Sequence, residues 1–287
     1  MDLTGFAEEV GGAGPVTITG LGTRGGGVPG LRFVQAPAGI DWLLPDEMTI
    51  CCGAGTPVRD IVEALGEVGQ TIVVPPSGTI GGALAVGQSG VRRLGRGPIR
   101  DCLLQARYVS SEGRIVKAGG PTVKNVSGFD LCRLLVGSRG TLGFLGEVIL
   151  RTQPRPEVSA WFTTTADPWV THAQLYRPAS ILWDGTTTWV CLEGMAEDVD
   201  AQVARLGLVP ADGIPRLPTG GRWSLPPARL KTDLPGTGEF VAEIGVGIVH
   251  HSQPAPARPI DPSVVLLQAE LKRRFDPAAR LNPGVIA

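Results

Sequence analysis

Between Pro121 and Pro156 the chain reads PTVKNVSGFDLCRLLVGSRGTLGFLGEVILRTQPRP, and this stretch narrows the possible folds more than any other. A polar, glycine-bearing loop from Lys124 to Gly128 leads into a short apolar segment, Leu131 to Val136. A second tight loop follows at 137–141, and an apolar run from Leu142 to Leu150 ends before Pro154. Glycines at 137, 140 and 143 let the backbone turn sharply and approach another group with no Cβ in the way. Successive free N–H groups in such turns make concave anion sites. The order is that of a loop–helix–loop–strand unit built to hold something flat and polar. A plain glycine-rich connection between core elements is the alternative, and it loses weight where loops of the same kind recur.

They do recur. Val16 to Thr19 is a short β-branched strand running into Gly20-Leu21-Gly22-Thr23-Arg24-Gly25-Gly26-Gly27. Residues 20 to 25 satisfy G-x-G-x-x-G, and Asp41 lies near the expected acidic position. That dinucleotide fingerprint must open a helix, however, and Gly26, Gly27, Pro29 and Gly30 exclude one. What remains is a loop whose backbone N–H groups can wrap a pyrophosphate. Met48 to Cys52 reads as a buried strand, and Gly53-Ala54-Gly55 follows. Thr56 is placed to cap a helix with Pro57 at its first position, running to about Val68 with Val58, Ile61, Val62 and Leu65 on one face. Thr71 to Val74 is a short strand stopped by Pro75-Pro76. The small residues from Ser77 to Gly90 imply close backbone packing, either helix on sheet or a second ligand-facing segment. Leu103–Ser110, Ser111-Glu112-Gly113 and Arg114–Ala118 make a β-hairpin.

After Pro156 the character changes. Strands are expected at Ser159–Thr164, Thr188–Glu193 and Glu239–Val249, with helices at Ala196–Leu206 and Pro262–Phe275, the latter ending in Lys272-Arg273-Arg274. Between Pro210 and Gly238, proline, glycine and basic residues suggest a mobile or partner-facing loop region. Four tryptophans (161, 169, 183 and 189) are partner-surface candidates or, more commonly, core. A length of 287 residues allows one or two domains. A net charge of −1 excludes a nucleic-acid footprint. No apolar run approaches the roughly 18 residues of a membrane span, and the N-terminus lacks the features of a signal peptide. The expected location is the cytoplasm. The five cysteines form no C-x-x-C pair and read as reduced, buried thiols, with no metal or iron–sulfur ligation in this chain.

In order and spacing, these segments resemble the vanillyl-alcohol-oxidase/PCMH superfamily of FAD-binding flavoproteins, and more closely the FAD-binding E subunits of bacterial glycolate oxidases. The residues that carry the resemblance are Gly20–Thr23, Gly53–Pro57, Thr79–Gly82, Ser89-Gly90 with Arg92-Arg93, and Ile99–Asp101. To these are added Lys124–Asp130, Gly137–Gly143 with Glu147, Asp276-Pro277 and Leu281–Gly284. The resemblance implies an α+β protein with a PCMH-type FAD-binding domain of two small α/β subdomains at 1–155. A short cap-like α+β domain would occupy 156–258, and a C-terminal helix and tail at 259–287 would return to the FAD domain. It implies FAD contacts from Gly20, Leu21, Gly22, Thr23, Pro76, Thr79, Ile80, Gly81, Gly82, Gly87, Ser89, Gly90 and Arg92. Further contacts would come from Lys124, Asn125, Gly128, Asp130, Gly137, Ser138, Gly140, Thr141, Leu142, Gly143, Glu147, Val148 and Asn282. With no His or Cys in the flavin-side loops to form a covalent link, FAD is expected to be held non-covalently.

The implied activity is that of the FAD-binding subunit of a glycolate or 2-hydroxy-acid oxidoreductase complex. Its flavin would take a hydride from the α-carbon of a small hydroxy acid or relay electrons. Its partners would be a catalytic flavoprotein subunit and an Fe–S subunit, reaching the inner membrane only through them. The His-rich metal motif of complete 2-hydroxy-acid dehydrogenases is missing, and the nearest substitute is His250-His251, with His250 as the candidate catalytic group. The alternative is a catalytically inactive flavin-fold scaffold that organises the complex.

Overall fold

The computed structural model describes residues 1–121, 130–234, 238–257 and 260–285. They form two compact units, one of residues 1–90, 98–155 and 260–287, the other of 91–97 and 156–259. In chain order the first unit holds α1 (Thr4–Val10), β1 (Val16–Ile18), β2 (Arg32–Val34), β3 (Ile40–Leu44), β4 (Thr49–Gly53), α2 (Val58–Glu67), β5 (Gln70–Thr71) and α3 (Ile80–Val86). The short helix α4 (Arg93–Arg96) belongs to the second unit. The first unit resumes with β6 (Leu103–Val109), β7 (Ile115–Gly119), α5 (Leu131–Leu135), β8 (Phe144–Arg151) and β9 (Gln153–Pro154).

An antiparallel sheet of order β3-β4-β8-β6-β7 is the frame of the first unit. Ile50, Ala106, Val148 and Leu150 of the sheet pack with Val58, Ile61 and Leu65 of α2, Ile80, Ala83 and Leu84 of α3, and Leu135 of α5. A second, smaller core gathers Phe6 and Val10 of α1 with Val16, Val34, Val109, Phe144 and Leu281 around the parallel pair β1-β2. The C-terminal segment extends that pair. The Val16 N–H donates to the Arg280 carbonyl and the Asn282 N–H to the Val16 carbonyl, each at 2.9 Å.

Two expectations change here. Thr56 does not cap α2, which starts at Val58 after Pro57 with no side-chain cap. The buried Thr56 hydroxyl is engaged elsewhere, donating to the Gly53 carbonyl at 2.7 Å and accepting from the Gly39 N–H at 2.9 Å. The expected strand from Thr71 to Val74 reduces to the two-residue β5, which pairs with β9.

The second unit continues with β10 (Val158–Thr164), α6 (Pro168–Gln174), β11 (Ser180–Trp183), β12 (Thr188–Gly194), α7 (Ala196–Leu206) and β13 (Val209–Ala211). Then come β14 (Gly221–Ser224), α8 (Leu230–Asp233), β15 (Phe240–Glu243) and β16 (Ile248–His251). All strand pairs in its sheet, β13-β10-β12-β11-β15-β16-β14, are antiparallel. The expected single strand at 239–249 is a hairpin, β15 and β16, turning at Ile244–Gly247 with Gly245 and Gly247 at positive φ. The Pro/Gly-rich 210–238 stretch is not simply loop. It contributes β14 to the sheet edge and buries Leu225 and Leu230. The tryptophans are largely core. Trp161 is buried, and Trp183 packs edge-on between Trp169 and Phe240.

A buried ion pair anchors one end of this sheet. Burial would push the Glu193 carboxyl up, but Arg96, clasping both oxygens at 2.7 Å, together with the Ser159 hydroxyl and Arg92, outweighs it and holds the group below its ordinary value. A depressed carboxyl stabilises the fold above the unfolded-state value near 4.5, and that contribution is lost as pH falls through the folded value. Glu193→Gln is therefore expected to flatten the acid side of a stability–pH curve measured by urea unfolding. An unchanged acid slope would remove Glu193 from the account.

The final helix, α9 (Pro262–Phe275), belongs to the first unit, with Asp261 capping it through the Ser263 N–H at 2.8 Å. All five cysteines are free and buried. Burial pushes the Cys51, Cys52 and Cys102 thiols up to about 12, and those of Cys132 and Cys191 to about 11. They are inert at neutral pH.

Candidate cofactor site

A cleft of about 250 Å³, partly open to solvent, lies in the first unit. One wall is the loop after β1, from Thr19 to Gly26. The opposite wall is the face of α3 that turns away from the core, with Gly81, Gly82, Ala85 and Val86. The loop into β8 (Ser138 to Gly140, Gly143) and Asn282 complete it. The helix is thus divided: Ile80, Ala83 and Leu84 pack inward, while its small residues leave room on the cleft side.

Local bonds hold these loops in place. The Asn282 Oδ1 accepts from the Thr17 hydroxyl at 2.7 Å and the Ile18 N–H at 3.2 Å, and its Nδ2 donates to the Arg139 carbonyl at 2.7 Å. Gly137 and Arg139 donate their N–H groups to the Leu84 and Ala85 carbonyls at the end of α3. Arg24 reaches from the glycine loop to the Ser77 carbonyl and hydroxyl and the Pro75 carbonyl. Gly22 has φ +69°, a region that disfavours side chains. Gly140 has φ +71°, and a Cβ there would come within 2.7 Å of the Asn282 Nδ2.

The sequence-derived residues that line the cleft are Gly20, Leu21, Gly22, Thr23, Thr79, Gly81, Gly82, Ser138, Gly140, Gly143 and Asn282. Others support it or lie apart. Ile80, Leu142 and Val148 are core. Gly87 ends α3 in the left-handed conformation against Gly137, and the Thr141 hydroxyl donates to the Ser138 carbonyl. Pro76 is exposed on the turn that Arg24 holds, the Ser89 hydroxyl accepts from the Ile99 N–H, and Gly90 lies beside Pro75. Asp130 caps α5 through the Arg133 N–H. Glu147 is buried in β8, 2.7 Å from the Met1 amino group and 3.3 Å from Arg107. Arg92 is in the second unit, 3.5 Å from Glu193. Lys124, Asn125 and Gly128 lie outside the described residues. Sequence reasoning missed Arg24 and Arg139, although Arg24 stands inside the glycine loop itself.

Residues 10–119 match the family model for an FAD binding domain. The chain carries an FAD-binding domain of the PCMH type. Glycolate oxidase subunit GlcE of Escherichia coli is 40% identical over 131 residues, covering 44% of this chain and 37% of that protein. A D-lactate dehydrogenase of Archaeoglobus fulgidus is 36% identical over 113 residues, 38% of this chain and 26% of that one. The matched segments thus span well under half of these relatives. Among solved structures, alkyldihydroxyacetonephosphate synthase shares the fold, with a TM-score of 0.66 at 16% identity over 94% of this chain and 71% of that one.

The cleft of the FAD-binding domain suits such a group on its own chemistry. Among the described residues, no hydrogen bond engages the backbone N–H groups of Gly20, Leu21, Gly22 or Gly26, so the loop offers a row of donors. Among the described residues, no carboxylate, histidine or cysteine lines the cleft. A run of open donors facing an acid-free wall favours an anion.

The candidate catalytic residue stands elsewhere. His250 does not follow a strand; it lies within β16, opposite Arg222 of β14 and Val241 of β15. Its Nε2 is 2.9 Å from the Glu243 Oε1, and both side chains are largely buried. The neighbouring His251 points to the other side of the sheet, where it packs on Trp223, and its Nδ1 accepts from the Gln253 N–H at 2.9 Å. Asp41, Cys51 and Glu147 also lie within 4.8 Å of one another, but the Met1 amino group is in contact with both carboxylates.

Proposed function

We propose that this chain is an FAD-dependent oxidoreductase subunit acting on small 2-hydroxy acids of the glycolate and D-lactate type. The observation that carries the proposal is the set of unengaged N–H groups at Gly20, Leu21, Gly22 and Gly26, in a loop that lines the cleft and lies within the segment that matches the FAD-binding domain. The loop Gly20–Thr23 holds the pyrophosphate, Thr79–Gly82 forms the facing wall, and Ser138–Gly143 with Asn282 holds the remainder. With no histidine or cysteine at the cleft, the cofactor is held non-covalently. Bound FAD supplies the acceptor for a hydride from the substrate's α-carbon.

His250 has the chemistry to take the hydroxyl proton. A carboxylate can only accept, so Glu243 fixes the His250 proton on Nε2 and leaves Nδ1 as the basic nitrogen. The chain works in the cytoplasm beside a catalytic flavoprotein subunit and an Fe–S subunit, at the inner membrane through those partners. Among the described residues no helix is long and apolar enough to cross a membrane. Residues 156–258 act as a cap, and 259–287 belong with the FAD domain. A scaffold role is the second reading, favoured by the histidine inventory. None of the three histidines lines the cleft among the described residues.

The test is the visible spectrum of the purified chain, followed by acid release of the flavin and addition of glycolate or D-lactate. One FAD per chain in the acid supernatant and bleaching by either acid is the expected result. His250→Gln is expected to keep the FAD and slow bleaching by about 100-fold or more. Bound flavin that neither acid bleaches would favour the scaffold. Folded protein that stays empty in excess FAD would end the cofactor assignment.

A further inference from the structure

The FAD cleft has an unbalanced charge. Among the described residues that line it, Arg24 and Arg139 are cationic and none is anionic. Arg24 is half-buried, and burial pulls its guanidinium below the ordinary arginine value. Among the described residues its hydrogen bonds run only to neutral oxygens, the Ser77 and Pro75 carbonyls and the Ser77 hydroxyl, the last at 3.2 Å. Those bonds position the guanidinium and leave its charge uncancelled.

Arg139 presents the same problem in another form. It has φ +50°, a conformation uncommon for a long side chain. Both of its backbone groups are committed, the N–H to the Ala85 carbonyl at 2.8 Å and the carbonyl to the Asn282 Nδ2 at 2.7 Å. The strained backbone is therefore pinned from two sides at the cleft wall, yet the guanidinium enters no hydrogen bond or ion pair among the described residues. The side chain is exposed at the cleft, so its charge is hydrated here and open to a ligand, and it is the uncommon, pinned backbone beside the cleft that points to one.

We infer that Arg24 and Arg139 are the charge partners of the FAD pyrophosphate, and that they make this cleft discriminate diphosphate ligands from uncharged flavin. The inference rests on the FAD assignment and adds to the glycine loop two side chains whose role is electrostatic. Backbone N–H groups supply partial charges, whereas a guanidinium supplies a full charge in a planar fork that matches phosphate oxygens. A doubly charged pyrophosphate calls for two such groups.

The experiment titrates apoprotein of the wild type, Arg24→Gln and Arg139→Gln with FAD, ADP and riboflavin. Flavin fluorescence reads two ligands and calorimetry the third, at low and high salt. Loss of a charge-assisted contact is expected to weaken FAD and ADP by about tenfold or more in each variant. Riboflavin, which has no phosphate, is expected to change by less than about twofold, and the salt dependence of FAD binding to become shallower. Arg24→Gln also loses the ties to Ser77 and Pro75, so Arg139→Gln, whose guanidinium supports no other group among the described residues, decides the matter if the first variant is unstable. Unchanged FAD affinity in Arg139→Gln overturns the inference while leaving FAD binding intact. So does an equal loss of riboflavin, which would mark a structural role. Wild-type protein that binds none of the three ligands overturns the FAD assignment and the inference with it.

Discussion

Arg280→Met is expected to lower the stability of the first unit by about 4 kcal/mol, which for a chain of this size corresponds to a fall of roughly 10 °C in Tm. Arg280 is 4% exposed. Its guanidinium donates to five carbonyls, those of Val10, Gly11, Ala13, Gly14 and Ser111, at 2.7 to 3.1 Å. One side chain thus closes the turn after α1, the β6–β7 hairpin tip and the C-terminal segment onto one another. Methionine keeps much of the volume and removes every donor. The carbonyls of Ala13 and Gly14 belong to exposed residues and recover water, and that of Val10 keeps the Arg32 Nη2 donor at 3.1 Å, but that of Ser111 belongs to a buried residue. An unsatisfied buried carbonyl costs about 1–3 kcal/mol, and this one, with the charge-assisted bonds lost at the others, sets the expected size. Arg280→Lys should rescue only in part, since an ammonium has three donors for five acceptors. A Tm within about 2 °C of wild type for the methionine variant would mean that water replaces the whole network.

How much of this was legible in the sequence depended on the range of the interactions involved. The helix at 262–275 was readable because its end signal is local: Lys272-Arg273-Arg274 suits a helix C-terminus. The helix at 196–206 and the hairpin at 103–119 were readable for the same reason. β14 was not. Its four residues lie in a Pro/Gly-rich stretch with no period of their own, and they become a strand because β16 offers an edge to pair with. The apolar run through Val249 concealed a turn, since two glycines between apolar residues do not interrupt a hydrophobic pattern. Thr56 looked like a cap because its neighbours suit one, but a buried hydroxyl found better partners in Gly53 and Gly39. In the cleft, glycines announced themselves because backbone conformation is a local property. Arg24 and Arg139 did not, because the absence of a counter-charge exists only once the chain is folded. The setting of His250 was hidden likewise, since Glu243 and Arg222 reach it through strand register.

Asn282→Ala is expected to weaken FAD binding by about 100-fold or more while costing the apoprotein about 3 kcal/mol. Asn282 is 6% exposed and bonds to both β1 and the loop that carries Arg139. Its Oδ1 fixes the Thr17 hydroxyl and the Ile18 N–H just before the glycine loop, and its Nδ2 fixes the Arg139 carbonyl across the cleft. Alanine leaves these groups unpaired and frees the two walls from each other. It must also occupy φ +44°, which asparagine tolerates better than most residues. Asn282→Gly separates these effects, since glycine relieves the backbone strain without restoring any side-chain bond. Equal FAD loss in the glycine and alanine variants, measured by fluorescence titration, would assign the effect to the amide bridge. Recovery of binding in the glycine variant would assign it to backbone strain and sink the bridge. Asn282→Asp sharpens the test, because it keeps both acceptor bonds yet turns the Nδ2 donor into a carboxylate oxygen facing the Arg139 carbonyl. Its negative charge at the cleft should repel a pyrophosphate. It is therefore expected to lose FAD at least as completely as alanine while binding riboflavin better than alanine does. The reverse order would mean that Asn282 acts on the flavin itself rather than on the phosphate side of the cleft.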